Sequence, residues 1–212
     1  MVSGSTASPR CSITTTVWDR LSVRTTTITT ELMGGQEKFI GRLDSLFVAE
    51  SKIEGPLVSS DISGLIGQYA HGNEPSHHIV HLYNYVNQSW KAQQLIDTIL
   101  HTQYFNNPNG LSGNEDCGQM SAWYVLNAMG FYQVCPGSPI YSVGRPIFDK
   151  VTINLPNGKV FEIIANNNSR TNKYIQSIRL DNILLESPFF MHSDIMKGGK
   201  IIMEMGNTPV KQ

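Results

Sequence analysis

Apolar residues recur at helical spacing from Glu31 to about Gly130, whereas residues 1–30 show no clear period. The stripe from Phe39 to Phe47 has the i, i+1, i+4, i+7, i+8 spacing of an amphipathic helix. Similar stripes follow Pro75 and Ser89, residue types that favour the start of a helix. A fourth stripe, from Met120 to Met129, leaves so little polar surface that we expect its helix to be buried on all sides.

Shorter periods occupy the rest of the chain. Turn residues alternate with apolar ones at 61–69, where we predict a loop and a short helix. From residue 136 the period becomes that of β-strands, and Asn157-Gly158 between two such runs predicts a hairpin. Residues 174–180 and 200–205 have the pattern of further strands, and no βαβ alternation suggests a parallel sheet. The predicted fold is mainly α with a C-terminal antiparallel β segment.

Composition and charge narrow the class of protein. A net charge of -1 gives no electrostatic footprint for nucleic acid, so we expect no nucleic-acid partner. No run of about 18 apolar residues predicts a membrane span, and the N-terminus lacks the apolar core of a secretory signal peptide. The three cysteines show neither metal-site spacing nor a disulfide framework.

The segment Gly113-Asn114-Glu115-Asp116 sets adjacent acids before an apolar helix. These residues could simply cap the helix, or they could form a site, because carboxylates beside a buried helix need compensating partners. A second polar cluster, at 71–78, also precedes a helix, and histidines in such a place are more often held by local hydrogen bonds than catalytic. If the two clusters converge, their carboxylate and amide oxygens suit calcium, although no EF-hand spacing is present. Asn166 to Asn168 predict a turn.

Four ordered motifs resemble the C-terminal part of glycoside hydrolase family 92. They lie at residues 61–69, 70–78, 113–124 and 194–200. The resemblance runs from about Glu31 to Pro209 and implies part of a calcium-dependent, exo-acting α-mannosidase that inverts configuration. The expected substrate is α-1,2-linked mannose on N-glycan-type or mannan glycans, and the expected location is periplasmic or secreted.

The same resemblance implies an architecture. Family members combine an N-terminal β-sandwich with a C-terminal (α/α)6 toroid. We therefore divide the chain into a poorly specified segment at 1–30, partial toroid helices at 31–135, and a C-terminal antiparallel β segment of the same catalytic unit at 136–212.

Site roles carry over by position within the motifs. Asp116 takes the place of the general base, with Asn114 or Glu115 assisting water or substrate. The other implied roles are Ca²⁺ binding by Asn73, Glu74 and Asp116, and sugar binding by Asn73, His77 and His78.

The chain departs from the family pattern before Glu31. Family members carry the general acid in an aromatic-rich stretch there, whereas residues 1–30 contain only Trp18 as an aromatic and no glutamate. We therefore expect residues 1–30 to be a frame or junction artefact, the acid to lie in a missing N-terminal part of the polypeptide, and the isolated chain to be inactive. The alternatives are a non-catalytic calcium-dependent carbohydrate-binding module and a partly folded remnant.

Overall fold

The computed structural model describes residues 29–52 and 62–211. The predicted N-terminal segment therefore lies almost wholly outside the described residues. The α-helices, numbered from α1 after a helical turn at 29–32, are α1 (Gln36–Val48), α2 (Ser89–Thr102), α3 (Gln119–Met129) and α4 (His192–Lys197). Two 3-10 helices, Glu74–Ser76 and Ile79–Val86, lie between α1 and α2.

Ten strands of the described chain form three sheets. The strands are β1 (Leu65–Ile66), β2 (Tyr69–Ala70), β3 (Phe131–Tyr132), β4 (Ile140–Val143), β5 (Lys150–Asn154), β6 (Val160–Asn166), β7 (Tyr174–Leu180), β8 (Ile183–Leu184), β9 (Phe189–Met191) and β10 (Gly199–Gly206). The sheet orders are β1-β2, β3-β4-β9 and β5-β6-β10-β7-β8.

Elements defined by a local signal match the predictions. The stripes at Phe39 and Met120 form α1 and α3, and Gly130 ends α3 in the left-handed conformation. The Asn157-Gly158 turn joins β5 and β6 into the expected antiparallel hairpin. Asn167, with φ 58°, makes the predicted turn after β6.

The short helix predicted within 61–69 is wrong for the residues that the structure describes. Residues 65–70 instead form the antiparallel β1-β2 hairpin. Gly64 and Gly67 have φ of 63° and 62°, and a Cβ on Gly67 would lie 2.4 Å from the Leu46 carbonyl oxygen. These glycines therefore serve a turn packed tightly against the end of α1, which a helix could not do.

The helix starts are also corrected in detail. The stripe after Pro75 forms 3-10 helix, in two pieces, and its first turn does contain Pro75. Ser89 is the first residue of α2 and not its cap, since the preceding Gln88 takes that position without a side-chain hydrogen bond.

The expectation of a purely antiparallel sheet is wrong. β10 pairs with β6 in parallel, with Ile201 opposite Ile163, and with β7 in antiparallel. The chain passes through β7, β8, β9 and α4 before it returns to lie beside β6. The sheet is therefore mixed, with β10 at its centre.

The burial of α3 on all sides is likewise not observed. Trp123 is fully buried, but Val125 on the other side of the helix is 51% exposed. Ser121 and Ala122 are also exposed. One face of α3 is open in this chain.

Two apolar cores meet across a polar seam. One core gathers residues of α1, the second 3-10 helix, α2 and Trp123, and the other lies on the large sheet. At the seam, Gln93 of α2 accepts a hydrogen bond from the Ile175 backbone (3.0 Å), and the Asp97 carboxylate lies 3.0 Å from Arg145. Leu126 packs against both cores, so the helical and β parts are held together by apolar packing as well as by these buried polar contacts.

Two further observations bear on the class of protein. Cys117 and Cys135 are both free thiols. None of the helices in the two described stretches has the length and apolar character needed to cross a bilayer.

Candidate active site

The two polar clusters meet through paired glycines. A Cβ on Gly72 would lie 2.2 Å from the Ser112 carbonyl oxygen, and one on Gly113 would lie 2.8 Å from the Gly72 carbonyl oxygen. Such contacts admit no side chain, so the two backbones touch at this point. Asn73 and Asn114 follow these glycines directly, which places the start of both clusters side by side.

A strained turn presents Asp116. Three successive residues, Asp116, Cys117 and Gly118, have positive φ values of 50°, 56° and 95°. The left-handed region costs a non-glycine residue roughly 1–2 kcal/mol, and such strain persists where the surroundings impose it, often at functional sites. Asp116 is an exposed residue and lies just before α3. The turn therefore carries backbone strain at the residue that bears this carboxylate.

Glu115 supports this turn through hydrogen bonds at the protein surface. Its carboxylate oxygens accept hydrogen bonds from the Ser121 backbone N–H (3.1 Å) and the Ser121 hydroxyl (3.0 Å). The N-cap position of α3 belongs to Gly118, which has no side chain, so neither Asn114 nor Asp116 occupies it. Of the two interpretations left open for the acids, capping thus describes Glu115, which satisfies a free N–H of the first turn.

His77 lies beneath the turn. It is 1% exposed, its Nε2 donates to the His71 carbonyl oxygen (3.0 Å), and its Nδ1 accepts from Gln119 (3.1 Å). Burial lowers its pKa to about 4, partly opposed by the hydrogen bond to His71 and the nearby negative charge of Asp116. The ring is therefore neutral and joins the 71–78 segment to the start of α3. His78 is half-buried.

A second neutral histidine extends this support. The Tyr69 hydroxyl donates to His71 Nδ1 (2.9 Å), and His71 Nε2 donates to the Tyr104 hydroxyl (2.7 Å). Tyr104 in turn donates to the Met120 carbonyl oxygen (3.1 Å). Burial lowers the pKa of His71 to about 2, so this chain of hydrogen bonds carries no charge at neutral pH.

Trp123 completes the floor under the site. Its indole N–H donates to the His77 carbonyl oxygen (3.0 Å), and its ring centroid lies 4.4 Å from that of His71. The aromatic ring is fully buried, as its place in the apolar stripe of α3 indicates.

The candidate calcium ligands are all oxygen donors. Asn73 and Glu74 are half-buried at the start of the first 3-10 helix, and Asp116 is exposed. Amide and carboxylate oxygens are the ligands that calcium prefers, so the donor chemistry fits that ion. Within residues 29–52 and 62–211, however, no three His, Cys, Asp or Glu side chains gather into a metal cluster. A full coordination shell would need further oxygens.

Several supporting residues were missed from the sequence. Gln119 contacts both His77 and the Tyr132 hydroxyl, at 3.1 and 3.3 Å. Gln119 is a polar residue at the start of an apolar helix, and that position could have identified it as a supporting residue. Tyr104 gave none, because its contact with His71 joins positions 33 residues apart.

Comparison with known proteins decides the family. A sequence model of the glycosyl hydrolase family 92 catalytic domain matches residues 26–207. The chain belongs to glycosyl hydrolase family 92. The resemblance found in the four motifs is thereby confirmed.

Solved structures of family 92 enzymes share this fold. An α-mannosidase of the family from Bacteroides thetaiotaomicron, in complex with mannoimidazole, is 43% identical with a TM-score of 0.78, over 83% of this chain and 23% of its own. A family 92 inverting mannosidase from the same organism is 39% identical with a TM-score of 0.72, over 85% and 25%.

A curated relative extends the comparison to a fungus. An uncharacterized secreted glycosidase from Arthroderma benhamiae is 27% identical over 82% of this chain and 21% of its own length. The family 92 chain described here thus spans about a quarter or less of the length of these relatives.

Proposed function

We propose that this chain forms part of the catalytic unit of an exo-acting, inverting α-mannosidase, in which Asp116 is the general base. The main support for this proposal is the strained turn that presents Asp116 where the two polar segments touch. Two family 92 relatives are described as an α-mannosidase and as an inverting mannosidase, which supports the reaction class.

Inversion requires one carboxylate to activate water and one carboxylic acid, on the opposite face of the sugar, to protonate the leaving oxygen. Asp116 is suited to the first task because it is an exposed residue on a turn with left-handed backbone, at the start of α3. It would accept a proton from the water that attacks the anomeric carbon. Asn114, beside the Gly72–Gly113 contact, would orient that water or a sugar hydroxyl.

Glu115 takes a different role from the one that its position in the motif implies. Because both of its carboxylate oxygens already accept hydrogen bonds from Ser121, we assign it to positioning Asp116. His77 likewise has both ring nitrogens engaged within the protein, so we assign it to supporting the 71–78 segment. For Asn73 and His78 we keep the sugar-binding role that the resemblance implies.

Asn73, Glu74 and Asp116 would contribute oxygen ligands to a calcium ion. A calcium ion held there would supply a local positive charge for the oxygen atoms of a bound sugar. The remaining ligands would come from water, the sugar, or polypeptide beyond this chain.

The proposal extends to the whole enzyme. The helices would belong to a larger (α/α)6 toroid, and the general acid would lie in polypeptide upstream of the matched region. The substrate class would be terminal α-1,2-linked mannose on N-glycan-type or mannan glycans. Secretion is supported by the secreted fungal relative.

The test is a chimera in which residues 26–207 replace the matching region of the Bacteroides α-mannosidase. We expect the chimera to hydrolyse α-1,2-mannobiose, with β-mannose as the first product seen by proton NMR. Release of α-mannose first would contradict the inverting mechanism. Calcium-dependent mannose binding without hydrolysis would instead support the carbohydrate-binding module.

A further inference from the structure

The two ends of the Gln119 side-chain amide have different surroundings. Gln119 is half-buried, and its Nε2 lies 3.1 Å from His77 Nδ1 and 3.3 Å from the Tyr132 hydroxyl. Among the residues that the structure describes, no donor reaches its Oε1. The buried side-chain atoms that lack a partner do not include this oxygen, so Oε1 is accessible to solvent.

The hydrogen bonds of His77 determine which end of the amide faces inward. Burial lowers the pKa of His77 to about 4, so at neutral pH its ring carries one hydrogen. The His71 carbonyl oxygen, 3.0 Å from Nε2, can only accept, so that hydrogen lies on Nε2 and Nδ1 is an acceptor. The group 3.1 Å from Nδ1 must then be the NH2 of Gln119. Donor and acceptor chemistry therefore fixes the Gln119 oxygen on the outer side.

Tyr132 removes the remaining freedom of the amide. Its hydroxyl accepts the second hydrogen of the Gln119 NH2 group, so both hydrogens are engaged. The Tyr132 ring is itself held in place, because it stacks on His81 with the ring centroids 5.2 Å apart. Turning the amide over would set its oxygen against the bare Nδ1 of His77 and lose that hydrogen bond. The Gln119 Oε1 is therefore an acceptor of fixed direction.

This acceptor belongs to the same turn as the candidate base. The Gln119 backbone N–H donates to the Asp116 carbonyl oxygen (3.2 Å), across the three residues with positive φ. The Gln119 side chain is bonded to His77, whose pKa responds to the negative charge of Asp116. Gln119 thus joins the turn that carries Asp116 to the 71–78 segment.

An amide oxygen accepts hydrogen bonds and donates none, so its natural ligand is a hydroxyl group. We propose that the Gln119 Oε1 accepts a hydrogen bond from a hydroxyl group of the terminal mannose of the substrate. The inference rests on the proposed function, which supplies the class of substrate. A site built to hydrogen-bond a hydroxyl discriminates against an analogue that lacks it, so Gln119 would help to determine specificity.

The orientation of the amide is tested first in the 212-residue chain, without substrate. Long-range proton–nitrogen NMR at about pH 7 should place the hydrogen of His77 on Nε2, and the NH2 hydrogens of Gln119 should exchange slowly with water. A hydrogen on His77 Nδ1 would turn the Gln119 oxygen inward and overturn the proposal. This measurement needs neither hydrolysis nor a variant.

The sugar contact is tested in the chimera with α-1,2-mannobiose and with analogues that each lack one hydroxyl of the terminal mannose. For one analogue, the loss of kcat/KM relative to mannobiose should be about tenfold larger in the parent chimera than in Gln119→Met. A purely structural role would lower kcat/KM by the same factor for every substrate. Tyr132→Phe is the matched control, because it keeps the Gln119 oxygen and should keep the discrimination.

Equal losses in the parent chimera and Gln119→Met for every analogue would overturn the sugar contact. Binding of methyl α-mannoside should also shift the side-chain carbonyl resonance of Gln119 in the parent chimera, and an unchanged resonance would overturn the contact without any variant. If the chimera binds methyl α-mannoside but does not hydrolyse mannobiose, the analogues are compared by Kd, and only the proposed function is contradicted. A chimera that neither binds nor hydrolyses would contradict both.

Discussion

Acidification should unfold this chain through its buried neutral histidines, of which His81 gives the clearest case. His81 is fully buried between α3 and β4, where its Nε2 donates to Asn127 (3.0 Å) and its Nδ1 accepts from the Ser142 hydroxyl (3.3 Å). Burial lowers its pKa from 6.5 to about 3, although the hydrogen bond to Asn127 acts in the opposite direction. The folded state therefore keeps this ring neutral at pH values where the unfolded chain protonates it.

The sign and size of the effect follow from that difference. Below pH 6.5 the unfolded chain binds a proton that the folded chain does not, so stability falls as the pH falls, until about pH 3. At pH 5 His81 alone lowers the free energy of unfolding by about 2 kcal/mol relative to pH 7 or above. His71 and His77 act in the same direction, and a domain's whole stability is roughly 5–15 kcal/mol.

The assay is urea unfolding followed by circular dichroism at pH 7 and pH 5, for the wild type and for His81→Gln. We expect the variant to be less stable at pH 7, because it loses buried contacts, but to lose about 2 kcal/mol less than the wild type between the two pH values. Equal losses in the two proteins would refute the reasoning. So would a His81 imidazole resonance that titrates near pH 6.5 in the folded protein.

Three other predictions concern the candidate site. Glu115→Ala should lower the free energy of unfolding, measured in urea, by about 1 kcal/mol because α3 loses a cap. Ser121→Ala should lower it by less because the backbone N–H contact remains. Equal stability of Glu115→Ala and wild type would contradict the cap. Calcium should raise the melting temperature of the chain by binding its folded state, and a shift unchanged by Glu74→Ala would count against Glu74 as a ligand. The purified chain should release no mannose from α-1,2-mannobiose, since it would lack the general acid, and measurable release would disprove that expectation.

Local signals explain which parts of the fold could be predicted. Asn157-Gly158 specifies its hairpin within a few residues, and the stripe of α3 specifies a helix with Gly130 at its end. The parallel pairing of β10 with β6 joins Ile201 to Ile163 across several intervening elements, and no local pattern encodes it. The residues of the β1-β2 hairpin were predicted as a helix because the contact that requires a turn, between Gly67 and Leu46, is a tertiary contact.

The site shows the same division. The residue types of the 113–116 motif identified a candidate site, and the resemblance assigned roles by position. Neither could show that the Glu115 carboxylate turns toward Ser121 while the neighbouring Asp116 takes a left-handed, exposed conformation. Adjacent acids in a sequence point in different directions once the backbone is fixed, so only the structure separates their proposed roles.

The most direct test of the account is the hydrolysis rate of the chimera carrying Asp116→Asn, compared with Glu115→Gln. If Asp116 is the general base and Glu115 positions it, Asp116→Asn should lower kcat by about 10²-fold or more. Glu115→Gln keeps an oxygen that can accept from Ser121, so it should stay within about tenfold of the parent chimera. A chimera that hydrolyses mannoside equally well with Asp116→Asn, or one in which Glu115→Gln is the more damaging change, would contradict the central claim.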